Sequence, residues 1–136
     1  MRPFLWIIVL GFLVAACSSS EHLDTAQAET HRFWQMMEAE QFASIYADAA
    51  EDFRKATSEE GLAKFLSAVN RKLGKMKTAK RESWNVNYHT SGTFVTLGYN
   101  TQLDQGKATE QFVFVINDRK ASLVRYNINS AELVTN

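Results

Sequence analysis

The feature that most constrains this chain is a single change of hydrophobic period. Up to about Lys77 the apolar residues recur every three or four positions, and beyond it every second position. The first spacing lines one face of a helix, the second one face of a strand. Asp24 or Thr25 is the expected N-cap of a first helix, with Ala26, Thr30, Phe33, Trp34 and Met37 along its buried stripe. A break is expected at Glu38–Gln41. Phe42, Ile45, Tyr46 and Ala49 form a second stripe, with Phe53 beyond it. Thr57 and Glu60 match a capping box for a third helix, whose face is Leu62, Phe65, Leu66, Val69 and Leu73. Glu59 and Glu60 at its start and Arg71 and Lys72 at its end suit the helix dipole, and Gly74 is placed to stop it.

After the switch, Trp84, Val86 and Tyr88 alternate with polar residues, then Val95, Leu97 and Tyr99, then Phe112, Phe114 and Ile116, then Val124, Tyr126 and Ile128. The separators are turn-formers: His89-Thr90-Ser91-Gly92, Asp104-Gln105-Gly106 and Asn117-Asp118-Arg119-Lys120. Short turns join antiparallel neighbours. The expected fold class is α+β, with N-terminal helices packed on one face of a curved four-stranded antiparallel sheet. The strand Gln111–Ile116 is apolar on both faces, so the side carrying Val113 and Val115 is expected either to meet a partner or to show an apolar stripe.

Ahead of the helices stands Arg2, then a run of 13 uncharged residues from Phe4 to Ala16. As a helix that run spans roughly 20 Å, short of the about 30 Å of bilayer hydrocarbon. It has the size of a signal-peptide core. It ends Val14-Ala15-Ala16-Cys17, which resembles the bacterial lipobox, and Cys17 is the chain's one cysteine. The resemblance implies cleavage before Cys17 and lipid on its sulfur and new amino terminus, an anchor that two or more acyl chains make stable. An ordinary secretory signal ending at Ala16 is the competing reading. Residues 1–16 are thus read as a signal peptide, 17–24 as the lipidated cysteine and a tether through Ser18-Ser19-Ser20, and 25–136 as one domain. In a Gram-negative host, Ser18 after the cysteine resembles the pattern that permits transfer to the outer membrane, facing the periplasm.

Charge gives no global pull toward nucleic acid, since 15 Lys+Arg stand against 15 Asp+Glu. Its distribution is uneven: residues 64–81 hold seven bases and no acid. Arg71, Lys72, Lys75 and Lys77 are therefore candidates for docking to anionic headgroups or an acidic partner; the competing reading is a solvated face. One cysteine excludes an intramolecular disulfide and Cys-rich metal sites.

From Ala26 to Ile128 the chain also resembles small bacterial families of unknown function in the nuclear-transport-factor-2-like, cystatin-like group. The likeness rests on Phe33-Trp34, the Phe42, Ile45, Tyr46 and Ala49 stripe, Phe53 and the Lys72-Leu73-Gly74 ending. It implies an α+β roll and carries no catalytic residues. The extra early strands of the larger version of that fold have no counterpart here.

No nucleophile elbow, phosphate loop or HExxH pattern occurs. His22, His31 and His89 are far apart and read as surface residues, with no metal and no cofactor expected. An isomerase-like site would need a carboxylate facing a tyrosine in an apolar cone. Tyr88, Tyr99 and Tyr126 could supply the tyrosine, but Glu82, Asp104, Glu110 and Asp118 read as lying at strand ends or turns. Trp34, Trp84, Tyr88, Tyr99, Phe112 and Tyr126 could line a ligand pocket, against the plainer reading of a packed core. The expected function is a non-enzymatic, membrane-tethered binding or accessory module of the envelope, contacting an envelope protein or a second copy and no nucleic acid. A carrier of small apolar ligands is the alternative, and an isomerase-like enzyme the more distant one.

Overall fold

Most of the residues that carry the helical period are buried or half-buried. A computed structural model describes residues 14–135, with side chains from residue 19 onward. The leader up to residue 13 and the side chain of Cys17 lie outside that description. Helix α1 (Val14–Glu38) hides Ala26, Thr30, Phe33, Met36 and Met37. It starts upstream of the expected Asp24 or Thr25, so the stretch 18–24 read as a tether is helical here. The break comes where expected. Glu40 adopts φ 57°, its N–H bonds to Met37 O at 3.1 Å, and Gln41 N–H bonds to Met36 O at 2.8 Å. This paired closure is a Schellman motif, here with glutamate where glycine is usual.

The second stripe folds as two short helices, α2 (Phe42–Asp48) and α3 (Glu51–Ala56), which bury Ile45 and Phe53. Helix α4 (Glu59–Leu73) is capped by Ser58 and not by the expected Thr57. Ser58 Oγ accepts from Gly61 N–H at 3.0 Å, while Thr57 closes α3 by donating its N–H to Phe53 O. Leu62, Leu66, Val69 and Leu73 are buried, and Phe65, on the same predicted face, is exposed. Gly74 ends the helix at φ 73°.

Strands β1 (Met76–His89), β2 (Gly92–Leu103), β3 (Gly106–Asn117) and β4 (Lys120–Asn129) form one antiparallel sheet in chain order, followed by a turn of helix, α5 (Ala131–Val134). Asp118 and Arg119 both take positive φ between the paired Asn117 and Lys120, as a two-residue primed hairpin turn requires. The helices cover one face. Val95, Leu97, Phe112, Phe114, Ile116 and Leu123 line it and are at most 5% exposed. Burying such side chains is worth about 1.5–3 kcal/mol each. No helix covers the other face among the described residues, and Val113 and Val115 there are half-buried.

Strand β1 differs from the expectation. It begins eight residues before Trp84, because residues 76–81 continue the pairing with residues 99–103. It is an edge strand with little above it, and in its first part the inward positions, such as Ala79 and Arg81, show no apolar alternation. Trp84 and Tyr88 share the register of Leu97 and Thr93 on the inner face, yet they are 54% and 57% exposed.

Candidate functional site

One row of the inner face is made of small side chains. Ala79, Thr101 and Ala108 are cross-strand partners on β1, β2 and β3. Next to Ala79 the helices and sheet do not close on each other, and a cleft of about 610 Å³ remains. Its apolar walls include Trp34 and Met37 from α1, Val69 from α4, Leu103 from β2 and Ile128 from β4. Its mouth carries His31, Glu38, Glu40, Lys75, Lys77 and Asp104. A volume of this order suits a small organic molecule.

The acid on the cleft wall is Glu110. It is only 5% exposed and sits one row in from Ala108, on the inner face of β3. Tyr126 Oη donates to Glu110 Oε1 at 2.7 Å, and Trp34 Nε1 donates to the same oxygen at 3.4 Å. The Thr101 hydroxyl, also buried, is turned to the Ala108 carbonyl at 3.3 Å. No salt bridge reaches Glu110 among the described residues. Burial pushes its carboxyl above the ordinary 4.5, and hydrogen bonding from Tyr126, Thr101 and Trp34 pulls part of the way back. Burial and the adjoining carboxylate together push the Tyr126 hydroxyl well above 10.0.

The sequence reading placed Glu110 at a strand end, and the structure corrects that. Strand β3 starts at Gly106, ahead of the expected Gln111, so Glu110 lies well inside it. A signal for this was present. Phe112, Phe114 and Ile116 point inward, and the same parity turns Glu110 and Ala108 inward.

The aromatic candidates divide into three groups. Trp34 and Tyr126 line the cleft. Tyr99 and Phe112 stand behind Trp34, with ring centroids 4.9 and 5.8 Å from it in edge-to-face contact. Trp84 and Tyr88 lie outside the cleft, and Tyr88 meets His22 and Ser19 of α1 instead. Tyr99 Oη is buried and makes no hydrogen bond of good geometry among the described residues, with the Thr30 hydroxyl near it.

The basic candidates gather around the cleft mouth and the end of α4. Lys75 pairs with Glu38 at 3.5 Å and Lys77 with Asp104 at 4.0 Å, while Lys72 Nζ donates to Leu133 O at 3.1 Å. Arg71 is exposed. These pairs are largely solvated and therefore weak. The histidines are separate: His22 packs on Tyr88, His31 on Trp34 and His89 on Phe94. No group of three potential metal ligands occurs among the described residues. No described helix is long and apolar enough to cross a membrane.

No protein-family model matches this chain. No curated protein matches it either.

Proposed function

We propose that this protein is an exported, lipid-anchored binding module whose cleft takes a small, mainly apolar molecule and holds that molecule's polar end at Glu110. The observation that carries this reading is a buried carboxylate on the wall of an open, apolar cleft. A carboxylate removed from water costs several kcal/mol unless something compensates it, on the order of 1–3 kcal/mol even for a neutral polar group. Fold stability alone would be served better by an apolar side chain there. Convergent polar groups inside an apolar concavity are the ordinary form of a ligand site.

The anchor belongs to the same proposal and rests on the Val14–Cys17 pattern. Helix α1 sets the geometry between them. Ser19 contacts Tyr88 near the turn joining β1 and β2, whereas Trp34 reaches the cleft. Fifteen residue steps along the helix separate the two, roughly 22 Å along the axis. A membrane at the Cys17 end leaves the cleft well clear of the headgroups. The cleft then samples solutes of the surrounding compartment and not lipid from its own leaflet. The domain itself we assign to the nuclear-transport-factor-2-like, cystatin-like group, with the helices-then-meander order in support.

The test is binding of a neutral naphthyl probe, 2-naphthylmethanol, by equilibrium dialysis against the mature protein in lipid nanodiscs, with empty nanodiscs as baseline. Saturable binding at one site that Trp34→Ala weakens at least tenfold supports the reading. Uptake equal to the baseline removes it. Intact-mass analysis of the mature amino terminus tests the anchor, and an unmodified Cys17 would leave a secreted soluble protein.

A further inference from the structure

We propose that the cleft selects organic ammonium compounds, a positively charged nitrogen carried on an apolar or aromatic body. This inference rests on the cleft being a binding site and names the chemistry of its ligand. Tyr126 Oη at 2.7 Å and Trp34 Nε1 at 3.4 Å both donate to Glu110 Oε1, and the buried Thr101 hydroxyl adds a weaker interaction with the carboxyl. They are neutral, so they steady a carboxylate without cancelling its charge. The other oxygen, Oε2, receives no hydrogen bond of good geometry from the described residues. When ionised, Glu110 thus places on the cleft wall, beside an indole and a phenol ring, a negative charge that no cationic side chain pairs among the described residues.

Each class of polar ligand end meets this arrangement differently. A carboxylate or phosphate would face like charge at close range, which is repulsive in a partly desolvated site. An alcohol could donate one hydrogen bond to Oε2 and would leave the charge in place. An ammonium group donates to Oε2, neutralises the site, and lies close to the faces or edges of Trp34 and Tyr126. Charge-assisted hydrogen bonds are roughly twice as strong as neutral ones. Cation–π contact adds about 0.5–2 kcal/mol depending on desolvation. The mouth admits a cation without a fixed positive barrier: Lys75 is paired with Glu38 and Lys77 with Asp104, and Glu40 adds a further acid, leaving His31 as the other titratable group there.

The experiment compares three probes of matched shape on the mature, lipid-anchored protein in nanodiscs at pH 7: 2-naphthylmethylammonium, 2-naphthylmethanol and 2-naphthoate. Binding is read by equilibrium dialysis with empty nanodiscs subtracted. The expected order is ammonium tighter than alcohol by tenfold or more, with naphthoate weakest. Glu110→Gln should bring the ammonium and alcohol affinities within about threefold of each other while the alcohol still binds. Equal or weaker binding of the ammonium in the unaltered protein overturns the inference and leaves the cleft as a binding site. An ammonium preference that survives Glu110→Gln also overturns it, by assigning the selectivity to the mouth acids. Binding of none of the three removes the site itself. Should Glu110→Gln fail to fold, the ranking in the unaltered protein decides.

Discussion

Tyr126 donates its hydroxyl to Glu110 Oε1 at 2.7 Å, whereas Tyr99, across β3 from β4, buries its hydroxyl with no hydrogen bond of good geometry, beside a Thr30 hydroxyl that is itself turned to Ala26 O. The two tyrosines share a core and differ in whether the oxygen is used. Removing each hydroxyl should therefore have opposite effects. Tyr126→Phe takes a donor from a buried carboxylate and should cost about 1–3 kcal/mol. It should also raise the Glu110 titration further, visible in the carboxyl carbon resonance. Tyr99→Phe removes a buried polar atom with no hydrogen bond of good geometry, only the Thr30 hydroxyl near it, and should be close to neutral or stabilising. Thermal unfolding of the two variants checks the contrast, and equal losses would contradict it.

Glu110 also predicts how stability depends on pH. Its folded value lies above the ordinary 4.5, chiefly because of burial. The folded state therefore holds the proton more firmly than the unfolded state. Stability falls as pH rises from about 4.5 to the folded value and stays lower above it. Glu110→Gln keeps an acceptor for Tyr126 and Trp34 and cannot ionise. It should be more stable than the unaltered protein at pH 7, with the gap closing below about pH 4.5. Denaturant titrations at several pH values measure this gap. A gap that does not change with pH would refute the assignment.

The two helix ends with positive φ make a paired prediction. Glu40 ends α1 at φ 57° with a side chain, where a residue other than glycine is strained by about 1–2 kcal/mol. Glu40→Gly should recover up to about 1 kcal/mol, since the added unfolded-state freedom offsets part of the gain. Gly74 ends α4 at φ 73°, and a Cβ there would stand 2.8 Å from Asp104 Cβ. Gly74→Ala should destabilise by more than about 1 kcal/mol. Chemical denaturation midpoints give both signs.

Ser58 and Thr57 separate the cap from its neighbour. Ser58→Ala should cost about 0.5–2 kcal/mol, because Gly61 N–H loses its acceptor. Thr57→Ala should cost less, since its contribution to α3 is a backbone bond that alanine retains. A larger loss at Thr57 would restore the capping box that the sequence suggests.

The order of elements was legible in the sequence because burial periodicity is a local property. Leu62, Leu66, Val69 and Leu73 mark a helix face, and Phe112, Phe114 and Ile116 mark a strand face, whatever they pack against. The break at Glu38–Gln41 and the stop at Gly74 were legible for the same reason. Which positions lie beneath a helix is not a local property. Trp84 and Tyr88 alternate as cleanly as Val95 and Leu97, yet they lie on an edge strand with little above them and stay exposed. The cleft is of the same kind. Its walls come from residues distant in the chain, Trp34 and Met37 of α1, Val69 of α4, Leu103 of β2 and Ile128 of β4, which only the packing of helices on the sheet brings together. The sequence by itself thus determined the α+β order, most of the core residues and the parity that turns Glu110 inward. Tertiary structure decided that Glu110 meets Tyr126 and Trp34 at the wall of an open cleft, because only strand register and helix placement bring residues 34, 110 and 126 within hydrogen-bond range.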